Sequence, residues 1–128
     1  MAMAATTATK AKCPPSRNEL GVASWTLMHS VAAHYPENPD ATERASALAF
    51  VSSLAVLYPC VDCAHGLRVA LEEMPPEVDS RERFVRWMCR LHNRVNKELG
   101  KPQVPCDNVQ ALDERWRESA RAECVPLG

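Results

Sequence analysis

A chain of 128 residues has room for one domain, since two separate cores would be hard to fill at this length. Hydrophobic residues make up 46%, enough for a real core, and a charged fraction of 24% is too modest for disorder throughout. The formal charge of -1 gives no electrostatic reason to expect nucleic acid or acidic lipid as a partner. No apolar run approaches the roughly 20 residues of a bilayer span, so the sequence predicts a soluble protein without membrane insertion.

Residues 1–12 are rich in Ala and Thr, carry Lys10 and Lys12, and contain no acid. That is faintly like a transit peptide, but arginine and an apolar face are missing, and a flexible tail is expected. Pro14 and Pro15 end it. From Glu19 to His34 the pattern is helical, with Leu20, Ala23, Leu27 and Val31 on one stripe and Trp25, Met28 and Ala32 on a second. Pro36 and Pro39 stop that helix, and Asp40 caps the next, which runs to about Tyr58. The second helix is apolar on more than one side, so it is either central to the core or touches two partners at once.

Pro59 closes the second helix and Cys60 opens a third, which ends at Pro75 and Pro76. Asp79-Ser80 can cap a fourth, with Phe84, Trp87, Met88, Leu91, Val95 and Leu99 at helical intervals and Gly100 placed to end it. Beyond Pro102 and Pro105, a short last helix is expected over Val109 to Arg121. No alternating strand pattern is present. The fold class predicted is all-α: a four-helix bundle with a short fifth helix.

Six cysteines, at positions 13, 60, 63, 89, 106 and 124, are many for a domain with 5% aromatic residues. An even count fits disulfides in an oxidising compartment, whereas a reducing one favours metal or catalytic use. Cys60-Val61-Asp62-Cys63 is the most informative stretch. Two cysteines at a helix start can work as a redox pair, because backbone N–H groups and the helix dipole favour a thiolate there. A plain stabilising disulfide is a second reading, although so short a loop gains little from cross-linking. Zinc is the third, since Cys60-x2-Cys63 followed by Cys89-x2-His92 is a passable four-ligand set. Cys89, His92, Asn93 and Asn96 share a helical face, which is either a solvated seam or a polar ledge for a flat heterocycle. Trp25 and His29, four apart on the first helix, make a similar pair.

These residues, taken in order, resemble the Erv/ALR family of flavin-linked sulfhydryl oxidases, and within it the short forms. The resemblance runs from Cys13 to about Trp116. It is carried by Cys13-Pro14-Pro15-Ser16-Arg17-Asn18-Glu19-Leu20-Gly21, Ser24-Trp25-Thr26-Leu27-Met28-His29 and Tyr35-Pro36. It continues in Tyr58-Pro59-Cys60-Val61-Asp62-Cys63-Ala64, Trp87-Met88-Cys89, His92-Asn93-x-Val95-Asn96, Leu99-Gly100-Lys101-Pro102, Cys106-Asp107 and Arg115-Trp116.

The resemblance implies FAD held within the bundle by an oxidase domain over residues 13–124, with residues 125–128 as a C-terminal tail. Cys60 and Cys63 would be the redox pair, with Cys63 against the flavin and Cys60 meeting the incoming thiolate. Cys89–Cys106 would be a structural bridge, and Cys13 and Cys124 would join two subunits of a homodimer. Arg17, Gly21, Trp25, His29, Tyr35, His92, Asn93, Val95, Asn96, Lys101 and Trp116 would surround FAD, with no metal. Electrons would pass to O2, giving hydrogen peroxide, or to cytochrome c. The implied home is the mitochondrial intermembrane space, with that compartment's oxidative import receptor as thiol donor. Three departures stand out. No second cysteine pair precedes Cys13, so the expectation is a short form without the shuttle arm of longer relatives, an arm that was cut off, or a separate partner that performs that step. The spacing from Cys106 to Trp116 is longer, and Glu118, Ser119 and Ala120 stand where a second tryptophan is expected. His65 also departs from the commoner patterns and is expected to be an exposed histidine.

Overall fold

The computed structural model describes residues 13–125 and 127. The expected tail over 1–12, and positions 126 and 128 of the expected C-terminal tail, lie outside the described residues. Five helices follow in order: α1 (Arg17–Ala33), α2 (Ala41–Leu57), α3 (Val61–Glu73), α4 (Arg81–Glu98) and α5 (Val109–Trp116). No strand occurs among the described residues, and none of their helices is long and apolar enough to cross a membrane.

Local chemistry sets most of the boundaries. Ser16 and Asp40 each start a helix with a capping box: the side chain accepts from the N–H of Glu19 or Glu43, and that glutamate accepts from the cap's own N–H. The Ser16 box begins α1 two residues before the apolar pattern becomes visible. Ser80 caps α4, and Gly100 follows it with φ 70°, a left-handed conformation that suits glycine.

α4 is the hub, packing against α1, α3 and α5, while α2 pairs with α3. Phe84, Trp87, Met88, Cys89 and Leu91 of α4 are essentially inaccessible. Met28 and Ala32 of α1, Val51 of α2, Ala70 of α3 and Leu112 of α5 close around them. The Trp87 indole N–H donates to the Met74 carbonyl at 3.0 Å, which satisfies the polar edge of a buried ring and ties the end of α3 to α4.

One expectation needs correction, and one question left open is decided. Of the two stripes of α1, the one with Met28 and Ala32 is buried, together with His29 and Ala33, whereas Leu27 of the other is 56% exposed. The helix is apolar on two sides, and periodicity alone does not say which side meets the hub. The last helix ends at Trp116 instead of Arg121. The N–H groups of Arg117 and Glu118 both donate to the Asp113 carbonyl, and residues 117–121 offer no apolar stripe to extend the packing.

Candidate active site

The turn between α2 and α3 carries the first cysteine pair. Tyr58 leaves α2 in an extended conformation, Cys60 N–H donates to the Tyr58 carbonyl, and Cys60 becomes the N-cap of α3. Its sulfur accepts from the N–H of Cys63 at 3.4 Å and is joined to the Cys63 sulfur, with the two Cα atoms 5.2 Å apart. Both half-buried sulfurs therefore sit in the first turn of a helix, where the dipole favours negative charge. Ser24 Oγ lies 3.3 Å from the Tyr58 hydroxyl and so holds this turn against α1. Between them lies a cavity of about 370 Å³ lined by Arg17, Leu20, Tyr58, Cys60 and Asp62, with Pro15, Ser16, Pro59 and Val61 completing the wall. Cys60, and not Cys63, opens onto it. Gly66, one turn beyond Cys63 on the same face of α3, has the Glu98 side chain as its neighbour, so that face is turned toward the end of α4.

A second constellation forms where α1, α4 and α5 meet. Trp25 stacks on His92 with centroids 4.0 Å apart, and His29 stacks on Trp116 at 4.1 Å. His29 Nε2 and His92 Nδ1 are 2.9 Å apart, so one imidazole donates to the other. Burial, then the neighbouring His92 and Arg115, push His29 down to about 3. Burial followed by Lys101 and Arg115 lowers His92 as well. Both rings are therefore neutral at neutral pH, flat and stackable, with two cations beside them. The Arg115 guanidinium also lies over the Trp116 ring, 3.9 Å from its centroid.

Of the residues singled out from the sequence, Trp25, His29, His92 and Trp116 thus come together, with Lys101 close by. Val95 and Asn96 are half-buried on α4, and the Asn96 carbonyl accepts from the Lys101 N–H at 2.8 Å. Arg17 lines the cavity at Cys60, and a Cβ added at Gly21 would meet nothing within 4 Å. Tyr35 lies apart from the ring cluster, 8% exposed in the core, with its hydroxyl donating to the Val78 carbonyl at 2.8 Å. The Asn93 amide pairs with the backbone of Val104, donating to its carbonyl at 2.7 Å and accepting from its N–H at 2.9 Å. Cys89 is bonded to Cys106, with Cα atoms 5.7 Å apart. The four residues of the zinc reading are therefore not a ligand set, and no cluster able to hold a metal occurs among the described residues. Cys13 is exposed and Cys124 half-buried, and neither is in a disulfide. His65 is exposed.

Sequence reasoning quoted Tyr58 and Arg115 within motifs without giving them a role at the site, and it missed the buried Arg81. Arg81 had a local signal: it is a cation in the first turn of a helix, where the dipole opposes it.

Fold and site together define a helical bundle with a Cys-x-x-Cys disulfide at a helix start and a cage of stacked rings where α1, α4 and α5 meet. The profile of the Erv1/Alr family matches residues 22–117. This chain belongs to that family. It is 41% identical over 105 residues to the mitochondrial FAD-linked sulfhydryl oxidase ERV1 of Saccharomyces cerevisiae, covering 82% of this chain and 54% of the relative. It is 36% identical to FAD-linked sulfhydryl oxidase ERV1 of Arabidopsis thaliana, covering 90% of this chain and 57% of that one. The chain thus spans little more than half the length of these curated relatives. Among solved structures, the yeast Erv1 core superimposes with a TM-score of 0.78 at 39% identity, over 85% of this chain and 89% of that one.

Proposed function

We propose that residues 13–124 form an FAD-dependent sulfhydryl oxidase domain in which Cys60 and Cys63 are the redox pair. The observation that carries this reading is the Cys60–Cys63 disulfide in the first turn of α3, with Cys60 opening onto a cavity. The names of the relatives support the same activity and cofactor. The residues fit a flavin nucleotide. Flat neutral rings at Trp25, His29, His92 and Trp116 suit stacking, Lys101 and Arg115 suit a diphosphate, and Gly21 leaves open space beside α1. Val95 and Asn96 belong to the same wall of α4. Arg17 adds a cation near Cys60, whereas Asn93 and Tyr35 act from behind by holding the loop after α4 and the end of α1.

In the reaction, a substrate thiolate attacks the Cys60 sulfur along the open side. The Cys60–Cys63 bond breaks, a mixed disulfide forms at Cys60, and Cys63 leaves as a thiolate favoured by the α3 dipole. A second substrate thiolate then attacks the substrate sulfur of the mixed bond. It leaves as an oxidised substrate, with Cys60 and Cys63 both reduced. FAD, when bound, would supply the two-electron acceptor for that dithiol, with O2 (giving hydrogen peroxide) or cytochrome c as the final acceptor. Pairing of Cys13 with Cys124 of a second copy would make a covalent homodimer. The mitochondrial names of the yeast relatives support a mitochondrial home, and within it the intermembrane space, with its oxidative import receptor as thiol donor, suits a disulfide-forming enzyme.

The visible absorption spectrum, recorded under argon with and without a dithiol, tests the reading. A flavin band that bleaches with dithiol and returns on admitting air is expected. A protein that stays colourless when made with ample FAD would refute it.

A further inference from the structure

Arg81 is buried, 9% exposed, and has no part in the chemistry above. It stands at the positive end of α4, where a cation is held only by its partners. Nη1 and Nη2 donate to the two carboxylate oxygens of Asp113 at 2.7 and 3.1 Å, and Nε donates to Glu37 at 2.9 Å. Nη1 also lies 3.2 Å from the Ala33 carbonyl. Two of these partners are one helical turn from the two rings of a stacked pair. Ala33 follows His29 by four residues on α1, and Asp113 precedes Trp116 by three on α5. One guanidinium thus ties together both helices that carry the His29–Trp116 stack. α5 depends on such ties, because a helix of 8 residues is not stable alone and buries only Leu112. Its Asp113 carbonyl also accepts from Arg117 and Glu118, so the anchored residue is the one that ends the helix beside Trp116.

We propose that Arg81, acting through Asp113, is a positioning residue for the flavin site: it fixes Trp116 and Arg115 against His29 and thereby sets how long the nucleotide stays bound. This rests on the reading of the ring cluster as the flavin site. Glu37 separates the role from general stabilisation, because it binds the same guanidinium but belongs to the α1–α2 loop and is 67% exposed.

The test is the rate of FAD release from the holoenzyme, followed by the rise in flavin fluorescence after dilution. Asp113→Asn and Arg81→Lys should each speed release on the order of tenfold, and turnover lost on dilution should return with added FAD. Glu37→Gln should change release by less than about twofold, as befits an exposed ion pair. In a Trp116→Ala background, Asp113→Asn should add little, since both act through one ring. Asp113→Asn keeps the shape of the fork, so it reports even where Arg81→Lys fails to fold. Unchanged release in Asp113→Asn, an equal rise in Glu37→Gln, or full additivity with Trp116→Ala would each overturn the proposal. A wild-type protein that takes up no FAD would instead defeat the oxidase reading, and this inference with it.

Discussion

The two disulfides of this chain are the same bond in opposite surroundings. Cys89–Cys106 spans 17 residues, with Cys89 1% exposed inside the hub helix and Asn93 Nδ2 3.2 Å from the Cys106 sulfur. Cys60–Cys63 spans 3 residues, lies half-buried at a helix start, and adjoins a cavity of about 370 Å³. In the chain-entropy picture the longer loop stabilises by roughly 3 kcal/mol and the shorter one by much less. The first bond therefore has a structural use, and one of its two cysteines is sealed inside the hub. The second is a poor staple placed where a thiolate can reach one sulfur and the helix dipole can accept charge on both. On the proposed function, reactivity would follow from position in the fold and not from the bond itself.

The sharpest way to break that contrast is to remove one sulfur from each. Cys63→Ser should lower turnover with a small dithiol to background while the protein keeps its flavin spectrum. Full activity in that variant would leave the pair without its assigned role. Replacing both Cys89 and Cys106 by Ser should lower unfolding stability by about 3 kcal/mol, read from urea midpoints, while turnover per folded molecule persists. If the two variants exchanged phenotypes, the contrast would be wrong.

A weaker effect probes the rings. In the unfolded chain His29 binds a proton near its ordinary value of 6.5; in the fold it does so only near 3. Between those values the unfolded state holds more protons, so stability falls as pH drops from about 6.5 toward 3. The urea midpoint should decline over that window less steeply in His29→Gln than in the wild type. Parallel declines would mean that His29 is not held neutral by burial. The smallest effect is expected from Cys13→Ser, which should leave small-dithiol oxidation largely intact because the redox pair lies within one subunit. A collapse with flavin still bound would place part of the site across a subunit boundary.

Much of this organisation was legible in the residue order, and the exceptions have physical causes. Asp40, Ser80 and Gly100 announce helix ends because capping is local chemistry, and Cys60-x2-Cys63 announces itself by spacing. The two apolar stripes of α1 could not be ranked from the sequence, and apolar side chains such as Val22 and Leu27 remain 61% and 56% exposed. No local rule separates a core face from another apolar surface. Apart from the family resemblance, the residues showed the ring cluster only as Trp25 with His29 and the polar stripe at His92, since α1, α4 and α5 meet only in the folded chain. Asn93 stood out on the polar face of α4, but nothing local announced that its amide also holds Val104, which lies in a loop 11 residues away in sequence.

That two-point bond between Asn93 and the Val104 backbone also bears on what the loop needs its sulfurs for. An amide that pairs with both the N–H and the carbonyl of one residue closes the segment from α4 to Val104 without any sulfur. Cys106 is then two residues from a fixed point, and its thiol would meet Cys89 at an effective molarity far above that of a loosely tethered pair. The loop thus has two closures, and the side-chain one does not require the cysteines to be oxidised.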